Sequence, residues 1–319
     1  MTKTSGSFNR DMNYIPDRIT ADGTENGWKA EAGKYRLVVA HACPWAGRSW
    51  ITHRLLGLED AISLGVAGPL HDPSSWKFHL DADGLDPVLG IHKLQEAFFN
   101  RIPDYPRGIT VPAIVDIETT SVVTNEFNQI ERDFSTEWTA FHRDGAPDLW
   151  PDAHLDEMEE VMELVFHDIN NGVYKSGFAS SQEAHEEAYD ALFARLDWLE
   201  ERLTTQRYLL GDTITQADIR LWATLVRFDP VYHNHFKCNR NKLIEMPALW
   251  AYARDLFQTP GFGDTIDFPL VKEHYYGVHL GINPTGVIPK GPSLENWNTP
   301  HGREALGGRP FGDGTAPNP

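Results

Sequence analysis
Two kinds of hydrophobic pattern divide this chain. In the first 136 residues the apolar positions fall in short, mostly β-branched runs; beyond about Pro151 they recur with a helical period. Residues 1–33 read as a polar, glycine-containing arm over the surface. Leu37-Val38-Val39-Ala40 lies within a strand predicted over 34–40, and a helix follows over 44–57. Residues 58–108, rich in Gly, Pro and Asp, read as a long loop, and loops of that length are often functional. Thr110 to Asp116 reads as a strand with proline near its start, where a ladder tolerates it. Thr120 to Val123 is a short β-branched run, and Thr124-Asn125-Glu126 opens a helix through Phe134.

Helical periods then cover Leu155 to Asn170, Gln182 to Leu203, Thr215 to Phe228 and Pro247 to Gln258. Asp152 and Ser181 suit N-caps before the first two. Thr215 and Asp218 have the form of a capping box, and Gly261 suits a helix stop. The tail from Gly277, rich in Gly and Pro, shows no period and is expected to be ordered only to about Pro292. Strand, helix, strand, strand, helix is the order of a thioredoxin-like domain. The expected architecture is therefore an α/β thioredoxin-like N-terminal domain over 1–145 and an all-α C-terminal domain over 146–319.

Composition narrows the function. The 319 residues are 41% hydrophobic and 23% charged, in the ordinary globular range. A net charge of −18 argues against nucleic acid or an anionic membrane as partner, and leaves room for a small anion in a local basic pocket. Two cysteines make no disulfide framework, which points to a reducing, cytoplasmic setting. Met1 to Thr20 has no apolar signal core, and no run of 18 apolar residues suits a membrane span.

One of those cysteines sits where chemistry is expected. The apolar run leads into Cys43, and Pro44 follows, a residue favoured in a helix's first turn. Cys43 is thus at or beside an N-cap, where unpaired N–H groups and the helix dipole stabilise a thiolate. A dithiol site would need a second cysteine three residues on, and that position is Ala46. Any disulfide formed at Cys43 is therefore resolved by an outside thiol. The bland alternative is a small buried residue closing a core strand.

The chain resembles the Xi class of glutathione transferases, the glutathionyl-hydroquinone reductases. The resemblance runs through Cys43-Pro44-Trp45-Ala46, Thr110-Val111-Pro112, the segment from Asn171 through Tyr174 to Ala179, Ala217-Asp218-Ile219-Arg220-Leu221, Arg227 to Tyr232, His235 to Asn239, and His274-Tyr275-Tyr276 with Ile282-Asn283-Pro284. It implies the glutathione-transferase fold, a homodimer, no bound cofactor and no metal. It also implies reductive removal of a thiol from a hydroquinone adduct, with Cys43 attacking sulfur and a second thiol releasing the disulfide. By the same resemblance Val111 and Pro112 form the cis-proline element that meets the thiol's peptide portion. Trp76 covers the bound thiol, Glu126 holds a γ-glutamyl ammonium, and Tyr174, Tyr275 and Tyr276 line the aromatic pocket. Each has a plain structural alternative: a trans proline at a strand edge, a loop anchor, a first-turn acid favoured by the helix dipole, and core aromatics.

Two positions depart from that family's pattern. Phe127 and Asn128 follow Glu126 where serine belongs, and Gly47 stands where histidine belongs. Both changes fall around the thiol site, so the thiol co-substrate is expected to be glutathione or the sugar-based mycothiol, which has no γ-glutamyl group. His233, His235 and Cys238 lack a clear fourth partner for zinc. Asp218 reads as a helix cap, and Gly261-Phe262-Gly263 is too short for a dinucleotide fingerprint. Two other readings remain open at this level: an ordinary conjugating transferase, which usually has Ser or Tyr in place of Cys43, and a non-catalytic interaction module.

Overall fold
The computed structural model describes residues 5–25 and 27–318; the first four residues of the expected N-terminal arm, Asn26 and Pro319 lie outside the described residues. The described chain forms two compact units that do not follow sequence order. One joins Asn13–Ala146 with Asp264–Val278 and the described part of Pro317–Pro319. The other joins Pro147–Gly263 with His279–Ala316 and the described residues up to Met12.

The first unit is built on a four-stranded sheet. Its strands are β3 (Tyr35–Val39), β4 (Ile62–Val66), β5 (Ala113–Asp116) and β6 (Ser121–Thr124); a separate parallel pair, β1 (Ile19–Thr20) and β2 (Trp28–Lys29), precedes them. The order is β4-β3-β5-β6, with β3 parallel to β4 and antiparallel to β5, and β5 antiparallel to β6. All five residues of β3 are buried, as expected of a central strand covered on both faces. Helices α1 (Pro44–Leu56), α2 (Leu94–Arg101) and α3 (Phe127–Thr136) complete the thioredoxin-like arrangement.

The first third of the chain holds more structure than its pattern predicts. The arm is not merely superficial: Ile15 and Ile19 are buried, and Thr124 Oγ1 donates to Ile15 O at 2.7 Å. Pro16 bridges to Thr124, so the arm covers the otherwise open edge of β6. The expected loop over 58–108 contains β4 and α2. β4 is hidden in the sequence by Gly65. A Cβ there would stand 2.8 Å from Asp86 Oδ2, which accepts from the buried Arg36 Nε at 2.8 Å. The glycine is required by packing, and it weakens the strand signal.

The second unit is helical: α4 (Leu155–Val165), α5 (Gly172–Gly177), α6 (Gln182–Arg202), α7 (Gln216–Leu225), the short α8 (His233–His235) and α9 (Pro247–Gln258). Ser181 caps α6, its Oγ accepting from Ala184 N at 3.2 Å. Asp152 does not cap α4, because a 3₁₀ turn, Asp152–His154, intervenes and leaves His154 at the cap. Asp218 is fully buried and accepts from Thr215 N, Thr215 Oγ1, Leu209 N and Tyr252 OH at 2.8–3.1 Å. Burial raises its carboxyl above the usual range against those four donors.

The tail is ordered well beyond Pro292, in contrast to the expectation. Trp297 is 3% exposed and packs edge-on against Trp250 at 4.8 Å. The Arg303 guanidinium donates to the carbonyls of Leu203, Gln206 and Arg207 at 2.6–3.0 Å. Isolated anchors of this kind leave no periodic trace. A further helix, α10 (Phe268–Val278), lay outside the predicted elements and belongs to the thioredoxin-like unit.

Candidate active site
The nucleophile's position follows from local backbone chemistry. Cys43 is the N-cap of α1, with φ −79° and ψ 115°, and Pro44 takes the first helical position. Its Sγ accepts from Ala46 N at 3.5 Å. The opposite end of α1 is closed by Gly57 at φ 70°; a Cβ there would come within 2.6 Å of Arg143. Twelve of the thirteen α1 residues are buried, so the helix is anchored in the core while the thiol at its start is half-buried.

The element opposite is Val111-Pro112. Their peptide bond is cis, both residues are buried, and Val111 O accepts from Cys43 Sγ at 3.3 Å. Asn125 ties this loop to the start of α3: its Nδ2 donates to Thr110 Oγ1 at 2.7 Å, and its Oδ1 accepts from Ile15 N at 2.7 Å. Asn125 was not singled out in the sequence, although it immediately precedes Glu126.

Glu126 occupies the N-cap of α3. Its carboxylate accepts from Gln129 N at 2.6 Å and Asn128 N at 3.4 Å. Negative charge there is stabilised by the helix's own N-terminus. Phe127, in place of the expected serine, is 2% exposed. Its ring packs on Trp45 at 4.7 Å and edge-on to Tyr14 at 5.4 Å. The Arg48 guanidinium lies 4.5 Å from the Trp45 ring and 3.9 Å from Glu131, with both charged side chains buried. The residue change thus builds a cation–aromatic cluster joining α1 to α3.

Trp76 is 8% exposed, stacked on His274 at 5.0 Å with planes 13° apart and tilted against His71 at 4.8 Å. His274 lies on α10, next to Tyr275 and Tyr276, which are 2% and 3% exposed. His274 Nδ1 donates to Pro69 O at 2.8 Å, and His41 Nδ1 donates to Thr265 O at 2.9 Å. These contacts fasten α10 and its lead-in to the loops at the carboxyl ends of β3 and β4, the end from which Cys43 issues. The histidines His41 and His274 were missed as fasteners because their partners are remote in sequence. Tyr174 belongs to the helical unit, on α5, among Phe8, Phe178, Tyr232 and Phe236, with the Arg10 guanidinium 4.7 Å from its ring.

The other sequence candidates are packed differently. Cys238 is fully buried, and burial pushes its thiol up to about 12. His235 Nε2 lies 3.3 Å from His279 Nδ1, with the rings stacked. Among the described residues no cluster of three or more His, Cys, Asp or Glu side chains is arranged to hold a metal ion. No described helix is long and apolar enough to cross a membrane.

Known proteins share this arrangement. Residues 182–255 match the family model for the glutathione S-transferase C-terminal domain. The glutathionyl-hydroquinone reductase YqjG of Escherichia coli K12 is 39% identical over 308 residues, covering 94% of this chain and 93% of the relative. The solved structure of that protein with glutathione bound aligns at a TM-score of 0.86, covering 91% of this chain and 96% of that one. A glutathione transferase structure from Gordonia bronchialis is 63% identical, with a TM-score of 0.95, covering 96% and 95% of the two chains. The Xi glutathione transferase of Phanerochaete chrysosporium is 38% identical, with a TM-score of 0.87, covering 94% and 96%. With a glutathione-transferase fold and near full-length identity of this order, the chain belongs to the Xi class of glutathione transferases, the enzyme family of the glutathionyl-hydroquinone reductases.

Proposed function
We propose that this enzyme removes a low-molecular-weight thiol from a thioether-linked hydroquinone through a mixed disulfide on Cys43. The observation that carries the reading is a lone cysteine at a helix N-cap beside Val111-Pro112, with Ala46 where a resolving cysteine would stand. In the first step the Cys43 thiolate attacks the adduct's sulfur. The carbon–sulfur bond breaks, the hydroquinone leaves with the electron pair and takes up a proton, and the thiol remains on Cys43. A second thiolate then attacks the mixed disulfide and frees Cys43. The carbon is reduced by two electrons, and two thiols leave as one disulfide.

The Cys43 region forms the thiol side, with the Val111 backbone, Trp76 and Glu126 around the thiol. Tyr174, Tyr275 and Tyr276 form the aromatic side, a phenolic O–H donating to the departing hydroquinone. On this reading the thiol residues fall within 1–145 and the tyrosines within 146–319, and the enzyme works as a cytoplasmic homodimer.

We further propose mycothiol as the preferred thiol over glutathione. The support is that no hydroxyl follows Glu126: Phe127 is folded into the Trp45–Arg48 cluster, and the Glu126 carboxylate caps its own helix. The test is turnover of glutathionyl- and mycothiolyl-hydroquinone with the matching free thiol. The expected result is one disulfide formed per hydroquinone released, faster with mycothiol. Turnover with glutathione alone overturns the thiol assignment, and hydroquinone release without disulfide overturns the mechanism.

A further inference from the structure
Two hydrogen bonds pull Cys43 in opposite directions. Ala46 N donates to its Sγ at 3.5 Å from the first turn of α1, a bond that favours the thiolate. The same sulfur donates to Val111 O at 3.3 Å, a bond that exists only while the proton is present. A hydrogen bond made by the neutral form opposes ionisation. The Val111 carbonyl thus restrains what the helix N-terminus promotes.

Val111 has a second distinguishing feature. Its N–H meets no acceptor among the described residues, although the residue is only 4% exposed. Buried backbone donors are rarely left in that condition. Val111 also lies outside the sheet ladder, since β5 begins at Ala113. An N–H without an acceptor and a C=O met by a thiol, on one residue, are the two groups with which an extended peptide unit pairs. The loop that presents them is held fast. Asn125, 1% exposed, donates from Nδ2 to Thr110 Oγ1 and accepts from Ile15 N, both at 2.7 Å. A carbonyl fixed in this way can pass from one donor to another, whereas a mobile one would follow the sulfur.

In the reaction proposed above, on which this inference rests, the adduct carries a cysteinyl amide whether its thiol is glutathione or mycothiol. We propose that the amide N–H of the bound adduct displaces the Cys43 thiol from Val111 O, so that substrate binding itself ionises the nucleophile. The adduct's N–H then bonds to Val111 O, and Val111 N–H donates to the carbonyl of the same cysteinyl residue. Cys43 loses its acceptor, its proton passes to water, and the thiolate stays with Ala46 N–H. The nucleophile is thereby unmasked in the presence of the sulfur that it attacks, and other electrophiles meet mainly the thiol.

The test follows ionisation of Cys43 by the ultraviolet absorbance of the thiolate, as wild type minus Cys43→Ser across a pH titration. The ligands are S-methylglutathione and S-methylmycothiol, whose methyl group is too poor a leaving group to be cleaved, with binding measured by calorimetry. An analogue that binds should lower the titration midpoint, giving about tenfold more thiolate at a pH below it, the effect of one hydrogen bond to the neutral form. The same analogue methylated on its cysteinyl nitrogen should bind more weakly and leave the midpoint in place. Asn125→Ala, which releases the Thr110-Val111 loop, should lower the midpoint without ligand and shrink the shift on binding. A bound analogue that leaves the midpoint unchanged or raises it would overturn the proposal, as would equal lowering by the N-methylated analogue, or no binding by either thioether. Cleavage of the adduct through a Cys43 mixed disulfide would stand in each of those cases. An adduct that leaves no thiol on Cys43 would overturn that reaction and the proposal together.

Discussion
The two cysteines of this protein sit in opposite environments, one in each unit. Cys43 follows a fully buried strand after one short turn and caps a helix, so its sulfur meets Ala46 N–H and the Val111 carbonyl while remaining half exposed. Cys238 lies in the helical unit with no exposed surface, its Sγ donating weakly to Phe236 O at 3.7 Å. The same side chain is thus placed as a nucleophile in one case and as a small core residue in the other. The difference lies in backbone donors and access, which set thiol reactivity.

The strongest way to break that contrast is substitution. Cys43→Ser should abolish thiol transfer, with a loss of about 1000-fold or more, while Cys238→Ala should leave kcat/KM within about twofold. Comparable losses in the two variants would end the distinction.

Alkylation and alkaline stability sharpen it. In native protein at pH 8, iodoacetamide should label Cys43, and Cys238 only after unfolding. The folded Cys238 thiol, held up to about 12 by burial, stays protonated at pH values where an unfolded thiol with a reference value of about 8.5 ionises. The unfolded state then binds fewer protons than the folded state. The Cys238 contribution is fully present below about pH 8.5 and is lost as pH rises towards 12, at no more than about 1.4 kcal/mol per pH unit. Urea unfolding at pH 8 and pH 10 should show a steeper decline for wild type than for Cys238→Ala; parallel declines would contradict the assignment.

A smaller effect separates the units by stability. Arg303→Ala removes three hydrogen bonds from the tail to carbonyls of the helical unit and should cost about 3 kcal/mol in urea unfolding. It should leave the Cys43 labelling rate in native protein unchanged, whereas His274→Leu, which unfastens α10 from Pro69, should slow turnover roughly tenfold through misplacement.

What the sequence made legible follows the same division. Cys43 was readable because a strand, a cysteine and a proline in succession encode an N-cap locally, and Ser181 and Thr215–Asp218 were readable for the same reason. Elements whose reasons are remote were not. β4 is disguised by Gly65, a residue chosen by the Arg36–Asp86 pair. α10 is disguised by Lys272, Glu273 and His274, whose place in a buried helix makes sense only beside His41, Pro69 and Trp76. Phe127 was visible as a departure, but its role in joining α1 to α3 depends on Arg48, which reads in isolation as a surface cation.

The most direct test of the account is intact-mass spectrometry of wild type and Cys43→Ser after a single exposure to thiol–hydroquinone adduct with no free thiol present. A mass increase of one thiol is expected, mapping to Cys43, absent in the variant, and matched by one equivalent of hydroquinone released. Hydroquinone release with no adduct on the protein, or an adduct that persists in Cys43→Ser, would contradict it.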